Sequence, residues 1–272
     1  MDGVTAVILQ SLLYRFSAWL VLAFVVGPLV VIVWVAFFAN AIIAFPPSGY
    51  TLGWFVRAWQ SDAFREGFLL SLKVGIVASI ASLLLGIPAS VAISRHAFPG
   101  REAISTILLA PIVVPGIVGG AALYIALLAF ELATGIQIAG TIWGLLVAHT
   151  LIAIPWTVRL VTASLLRVNR SIEEAAVNLG ATPLVAFRRV TLPAIRPGLV
   201  AAVLLSFVVS FIDLEKSLFL VGPGQTTLPI AILNYLEWNL DPTIAAVATV
   251  QIGLIAVALW LADRAVGLTR IF

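Results

Sequence analysis

Six long runs of apolar residues, each bounded by charged residues, limit what this chain can fold into more than any other feature. The runs cover approximately residues 16–39, 68–94, 103–130, 141–166, 198–221 and 243–262. A helix needs about 20 apolar residues to cross the hydrocarbon core of a bilayer. Because backbone polar groups inside lipid must be satisfied within the segment, the runs predict six membrane-spanning helices in an all-α integral membrane protein.

The composition fits a membrane protein and excludes several kinds of site. Only 10% of the residues are charged, whereas soluble domains carry about 25%. The chain has no cysteine, which excludes disulfides and thiolate metal sites. Its two histidines, His96 and His149, are far apart and lack the spacing of metal ligands. We therefore expect no metal and no cofactor bound by this chain.

The positions of lysine and arginine predict the orientation of the spans. If the N-terminus is cytoplasmic, the inner side holds Arg15, Arg95, Arg101, Arg159, Arg167, Arg170, Arg188, Arg189, Arg196, Arg264 and Arg270. The outer side then holds only Arg57, Arg65, Lys73 and Lys216. This bias predicts that both termini are cytoplasmic. Because the basic residues lie where membrane topology places them, we expect no nucleic-acid surface.

Two N-terminal segments need separate interpretation. The apolar run Phe16–Ala39 is too long for the core of a signal peptide, which has about 7–15 residues, so we expect a retained span. Residues 52–66 have apolar side chains at helical spacing and charged side chains opposite them. That pattern is typical of a helix in the outer membrane interface, or of an amphipathic helix packed on its neighbours.

A polar segment between the fourth and fifth spans, residues 171–193, predicts a short helix, a break and a second short helix. Ser171 is expected to cap the first helix, with Glu173 and Glu174 in its first turn, where the helix dipole favours carboxylates. Gly180 is expected to end this helix with a positive φ angle.

The second short helix has its own start signal. Thr182 and Pro183 are typical of an N-cap followed by the first helical position. Arg188, Arg189 and Arg196 are placed where anionic lipid headgroups would lie. By its residues alone, the segment is also compatible with a basic loop that only sets membrane topology.

The same segment resembles the EAA loop of bacterial ABC importer permeases. That pattern is Glu-Ala-Ala, three residues, Gly, nine residues, an aliphatic residue, one further residue, then Leu-Pro. This chain reads EAAVNLGATPLVAFRRVTLP at that place. The matching residues are Glu174, Ala175, Ala176, Gly180, Val190, Leu192 and Pro193, with valine where isoleucine is usual.

The resemblance implies the type I ABC importer permease fold and a place in the bacterial inner membrane. In that family the loop docks on a separate ATP-binding subunit, so ATP and Mg would be bound there. This chain has no G-x-x-x-x-G-K-[ST] loop and is expected to be a transport subunit without enzyme activity. The resemblance further implies two ATPase copies, a second related permease in a heterodimer, and a periplasmic solute-binding protein.

The expected organisation has three parts. Residues 1–66 would hold the first span and the outer interfacial helix. Residues 67–262 would form the importer transmembrane domain, with its EAA loop at 171–193. Residues 263–272 would be a short cytoplasmic tail.

Polar residues inside the apolar spans are candidates for a translocation path, because lipid does not tolerate them. Ser206, Ser210, Asp213 and Ser217 stand at i, i+4, i+7 and i+11 of the fifth span, which predicts one polar stripe on a regular helix. Lys216 shares that face. The sequence therefore leaves open whether Asp213 lines a cavity or forms an internal ion pair.

Helix-breaking residues mark a second candidate wall of the path. Pro115 and Gly116 lie in the third span together with Pro111, Gly119 and Gly120. Irregular backbone at membrane depth is tolerated where it is buried in protein or lines water. A kink without a special function is the alternative for any one of these residues.

The resemblance is strongest to the polyamine-importer branch of the family. The residues that carry it are Ser71, Leu72, Asp213 and the run Thr227-Leu228-Pro229. It implies a polyamine-like cation as cargo, whereas relatives with much of the same pattern move phosphonates, ferric iron, thiamine or opines. Lys216 departs from an acidic site suited to a polycation.

A different class of protein is also compatible with six spans. An ATP-independent channel or ion-coupled carrier would need ionisable groups inside the membrane, and only Asp213, Glu215 and Lys216 qualify. Such a protein would have no use for the pattern from Glu174 to Pro193.

Overall fold

The structure is a computed structural model that describes residues 3–266, with side chains for residues 10–264. Within this range the chain is built from helices, with an isolated bridge between Phe38 and Tyr50. The helices are α1 (Gly3–Val35), α2 (Gly53–Gln60), α3 (Asp62–Arg95), α4 (Arg101–Val113), α5 (Gly116–Thr134), α6 (Ile142–Arg167), α7 (Arg170–Asn178), α8 (Pro183–Ala186), a π-helical segment (Phe187–Thr191), α9 (Leu192–Ala194), α10 (Arg196–Phe211), α11 (Ser217–Leu220), α12 (Leu228–Leu236) and α13 (Thr243–Val266).

Length and hydropathy identify the helices that can cross a membrane. Among the described residues, five helices are long and apolar enough to cross a membrane. They lie within Gln10–Val35, Asp62–Arg95, Gly116–Thr134, Ile142–Arg167 and Thr243–Arg264. A sixth span results if Pro183–Ala194 and Arg196–Phe211, bent by 71°, are taken together. The predicted all-α membrane protein is confirmed. The predicted tail, residues 263–272, lies partly outside the described residues.

The third predicted span, residues 103–130, consists of two helices instead of one. α4 ends at Val113 and α5 begins at Gly116. Val114 and Pro115 between them have extended backbone, with ψ angles of 127° and 130°. The break follows from Pro115, because proline has no N–H to donate and its ring disfavours a helical conformation of the residue before it.

The interfacial helix predicted over residues 52–66 is also shorter than expected. α2 ends at Gln60, and Ser61 has extended backbone with a ψ angle of 116°. α3 then begins at Asp62, so the second span starts six residues earlier than the predicted residue 68.

Contacts divide the chain into two compact units, of which the first comprises Met1–Ser61 and Tyr235–Gly253. An aromatic cluster of Trp34, Phe38 and Phe45 lies at the end of α1 and in the segment after it, with ring centroids 5.2–5.5 Å apart. In the same unit, Arg57 pairs with Asp241 at 3.1 Å. Burial raises the pKa of Asp241, but hydrogen bonds from Thr243 and Tyr235 and the Arg57 charge outweigh it and hold the pKa below its ordinary value of 3.8.

The second unit comprises Asp62–Asn234 and Leu254–Phe272, and α3, α6 and α10 form its core. Small residues let these helices approach closely, as is usual for helices packed in lipid. A Cβ added to Gly86 of α3 would lie 2.6 Å from Thr157 Cγ2 of α6. Thr157 Oγ1 also bonds Ser82 Oγ at 2.9 Å and Ser206 Oγ at 3.0 Å, which joins the three helices through one buried hydroxyl.

Candidate functional site

The segment between α6 and α10 folds as two short helices with a break, as predicted. Asn169 caps α7, because its Oδ1 accepts a hydrogen bond from the N–H of Ser171 at 3.0 Å. The prediction that Ser171 is the cap is therefore wrong. The cap and the start of α7 lie two residues earlier than predicted, with Arg170 as the first helical residue, and Asn169 offers the side-chain acceptor that the first turn needs.

The end of α7 and the start of α8 fold as predicted, whereas only Glu173 of the two glutamates lies in the first turn of α7. Gly180 has a φ angle of +92°, and its N–H donates to the carbonyl of Val177 at 2.9 Å. Thr182 caps α8 by accepting from the N–H of Val185 at 3.4 Å, and Pro183 is the first helical residue. The glycine lets the chain reverse direction between the two helices.

The remaining pattern residues lie in the return to α10. Val190 belongs to the π-helical segment, and Leu192 and Pro193 lie in α9. A bend of 71° separates this stretch from α10. The seven pattern residues therefore form one continuous hairpin of short helices.

The two adjacent glutamates of α7 have different environments. Glu173 is 20% exposed and pairs with Arg95, with 2.7 Å between Oε1 and Nη2. The same oxygen accepts a hydrogen bond from Thr191 Oγ1 at 2.9 Å. Glu174 is 63% exposed, and within residues 10–264 its ion pair is with Arg170 of the same helix, at 3.2 Å. The Arg95 contact was not predicted, because 78 residues separate the partners.

Besides Glu174, the hairpin carries several exposed apolar side chains. Ile172, Leu179 and Leu184 are 54%, 91% and 65% exposed, and Ala175 is exposed as well. We call these five residues the hairpin face. An apolar surface with one carboxylate is suited to contact with another protein.

The hairpin also encloses a cavity of about 360 Å³ against the end of α3. Its polar lining includes Arg95, His96, Glu173 and Asn178. Among residues 10–264, no three histidine, aspartate or glutamate side chains come together in a way that could hold a metal ion.

The serines predicted to line a path are buried between α6 and the α10–α11 region. His149 of α6 joins two of them, with Nδ1 2.8 Å from Ser210 Oγ and Nε2 3.1 Å from Ser217 Oγ. Ser206 bonds Thr157 and donates to the carbonyl of Ala153 at 3.2 Å. These hydroxyls are satisfied inside the protein. The contacts of His149 with these serines could not be predicted from the sequence, because a single histidine in an apolar run has no periodic partner.

Asp213 lies in a break of the fifth span, so the prediction of one regular helix through residue 217 is wrong. α10 ends at Phe211, and Asp213 Oδ2 accepts hydrogen bonds from the N–H groups of Lys216 and Ser217 at 2.9 and 3.4 Å. A carboxylate that caps the next turn competes with continuation of the helix. The internal ion pair left open above is present, with 3.5 Å between Asp213 Oδ1 and Lys216 Nζ.

The structure brings the two candidate walls of the path together. Lys216 Nζ is also 3.6 Å from Glu215 Oε2. The Glu215 carboxylate occupies the space where a Cβ on Gly116 would lie, so the start of α5 and this side chain approach closely. The broken α4–α5 pair and the broken α10–α11 pair thus meet at a cluster of three charged side chains, Asp213, Glu215 and Lys216.

Comparisons with known proteins agree with this architecture. Residues 82–267 match the family described as binding-protein-dependent transport system inner membrane component. The chain is 32% identical over 211 residues to the putrescine transport system permease protein PotI of Escherichia coli (strain K12), covering 77% of this chain and 75% of that protein. It is 34% identical over 215 residues to the putative 2-aminoethylphosphonate transport system permease protein PhnV of Salmonella paratyphi A (strain ATCC 9150 / SARB42), covering 79% and 78%.

A solved structure extends the likeness to the whole fold. In the crystal structure of a bacterial ABC transporter that imports the acidic polysaccharide alginate, one chain superposes with a TM-score of 0.67. The match covers 97% of this chain and 96% of that one at 14% identity, which confirms the predicted type I importer permease fold. The chain therefore belongs to the binding-protein-dependent inner membrane components, the permease subunits of ABC importers.

Proposed function

We propose that the α7–α8 hairpin couples this permease to a separate ATPase subunit. The exposure of Glu174 on a hairpin that also carries exposed apolar side chains supports this assignment most directly. Its ion pair in the described part of the chain is exposed and lies within its own helix, so the carboxylate is available to a basic group or an N–H of a docking protein. The exposed apolar side chains of the hairpin would lose contact with water on docking, which favours association.

In this proposal the ATPase subunit binds ATP and Mg, and hydrolysis moves the hairpin. The complete importer contains two ATPase copies, a second related permease and a periplasmic binding protein. Both termini of this chain and the hairpin lie in the cytoplasm. The proposal takes these assignments from the family resemblance and from the excess of basic residues on the inner side.

We propose a small solute with a primary ammonium group as cargo, with a polyamine-like cation preferred. The names of the two relatives support this class, because putrescine and 2-aminoethylphosphonate both have a short carbon chain with a terminal amine. The cluster Asp213, Glu215 and Lys216 has a net charge of −1, which suits an ammonium group. The proposed path residues are Ser206, Ser210, Asp213, Ser217, Pro115 and Gly116.

Purification from native membranes tests the assignment of the coupling hairpin. Tagged protein is isolated in mild detergent, and the accompanying chains are identified by mass spectrometry. We expect an ATPase and a second permease with the wild-type chain, and loss of the ATPase with Gly180→Pro, because proline fixes φ near −65° where the hairpin needs +92°. Glu174→Ala should abolish uptake while leaving the protein in the membrane.

Reconstitution with labelled putrescine or 2-aminoethylphosphonate then tests the cargo. Uptake of either solute that requires ATP would support the proposal. Recovery of this chain alone, still able to move solute without ATP, would establish a channel or carrier instead.

A further inference from the structure

One carboxylate oxygen of Glu173 joins three separate elements. Glu173 Oε1 accepts hydrogen bonds from Arg95 Nη2 at 2.7 Å and from Thr191 Oγ1 at 2.9 Å. Arg95 ends α3, Glu173 lies in the first turn of α7, and Thr191 ends the π-helical segment. We call these three residues the Glu173 clamp.

The clamp is shielded from solvent. The side chains of Arg95 and Glu173 are 12% and 20% exposed, and Thr191 is buried. Removing one partner would leave the other charge poorly solvated and unpaired, which costs far more than breaking a surface ion pair. The three elements are therefore held together firmly at this point.

Arg95 also reaches the end of a second span. Its Nη2 donates to the carbonyl of Val168, the residue after α6, at 3.4 Å. The other ion pair of α7 in the described part of the chain, Arg170–Glu174, stays within the helix. The charged contact of α7 with α3 is therefore made by Glu173, whereas the ion pair of Glu174 is local to α7.

We propose that Arg95, Glu173 and Thr191 are positioning residues that transmit displacement of α7 to the spans α3 and α6. This inference rests on the proposed coupling function of the hairpin. Displacement of a docked helix reaches a span only through contacts that hold during the movement. The two neighbouring glutamates then have separate roles. Glu174 binds the ATPase subunit, and Glu173 transmits the displacement of α7 to the spans.

The test measures uptake and ATP hydrolysis in the same proteoliposomes, which contain the full importer, its binding protein and cargo. Glu173→Gln should co-purify with the ATPase as the wild type does, but its cargo uptake per ATP hydrolysed should fall roughly 10-fold. Thr191→Val removes one hydrogen bond and should lower the ratio by about 3-fold. Glu174→Gln is the matched control, and should reduce co-purification of the ATPase.

Exchanging the charges of Arg95 and Glu173 distinguishes a loss of motion transfer between α7 and α3 from a general loss of protein stability. Arg95→Glu combined with Glu173→Arg should recover much of the uptake per ATP that each single change loses, because it restores an ion pair between α3 and α7. If Glu173→Gln fails to reach the membrane, the uptake per ATP hydrolysed of Thr191→Val in the same assay tests the inference instead.

Two results would overturn the inference. One is an unchanged ratio of uptake to hydrolysis in Glu173→Gln or in Thr191→Val. The other is an equal loss of the ATPase in Glu173→Gln and Glu174→Gln, which would make both glutamates docking residues. Absence of an ATPase from the wild-type complex is a separate outcome, because it would refute the proposed function itself.

Discussion

At the scale of single residues, burial separates side chains of the same chemistry. Glu173 and Glu174 are adjacent and about 100° apart around the helix axis. One carboxylate is 20% exposed and held by two donors from other elements, whereas the other is 63% exposed. Glu174 can therefore contact a partner without first giving up the hydrogen bonds that hold Glu173.

At Asp213, the two oxygens of one carboxylate make different contacts. One oxygen caps the turn that begins α11, and the other pairs with Lys216. Replacing the carboxylate by an amide keeps an oxygen for the cap and removes the charge. Asp213→Asn therefore tests the charge with little change in the local fold.

If Asp213 binds a cationic cargo, Asp213→Asn should raise the KM for uptake about 10-fold, a loss of ~1.4 kcal/mol. Lys216→Met removes the competing internal cation and should shift the KM in the opposite direction. The measurement is the initial rate of ATP-dependent uptake against cargo concentration in proteoliposomes. A KM and maximal rate that stay at wild-type values in Asp213→Asn would remove this residue from the path.

At the scale of helices, the close contact between α10 and α6 depends on a missing side chain. A Cβ added to Gly198 would collide with Ser164 Oγ and lie 2.6 Å from Ser164 Cβ. Rotation of the serine hydroxyl cannot relieve the contact with its Cβ. α10 would therefore have to move away from α6.

We expect Gly198→Ala to lower the free energy of unfolding by ~1–3 kcal/mol, as is typical of an overpacked interior. Adding Ser164→Gly should restore part of this loss, because it removes the atoms that collide. Gly27→Ala in α1 is the matched control, since an added Cβ there meets no atom within 4 Å. Thermal unfolding in detergent measures all variants, and equal midpoints for Gly198→Ala and Gly27→Ala would contradict the prediction.

The helices also show which parts of the fold the sequence could predict. Apolar run length identified the spans, and Gly180, Thr182 and Pro183 marked the hairpin, because these signals are local. The end of α10 at Phe211 was missed, since the polar stripe continues past it to Ser217 and the capping role of Asp213 is not visible in the spacing. The Arg95–Glu173 pair and the His149 bonds depend on tertiary contacts across 61–78 residues.

At the scale of the whole molecule, orientation in the membrane decides whether the hairpin can meet a cytoplasmic ATPase. The inner-side excess of arginine predicts that it can. The chain offers a direct test, because it has no cysteine and any introduced thiol is the only one. Leu179 in the hairpin is 91% exposed, and Trp238 between α12 and α13 is 85% exposed, so thiols at both positions should be accessible.

We expect Leu179→Cys to react with a membrane-impermeant maleimide in inside-out vesicles and not in intact spheroplasts, because the charge rule predicts the hairpin on the cytoplasmic side. Trp238→Cys should show the reverse, since it falls on the outer side by the same charge rule. Gln10→Cys, before the first run, should label like Leu179→Cys, and the cysteine-free parent gives the background. Labelling of Leu179→Cys from outside would place the hairpin away from any ATPase, and the coupling proposal would then fail whatever the chain's family.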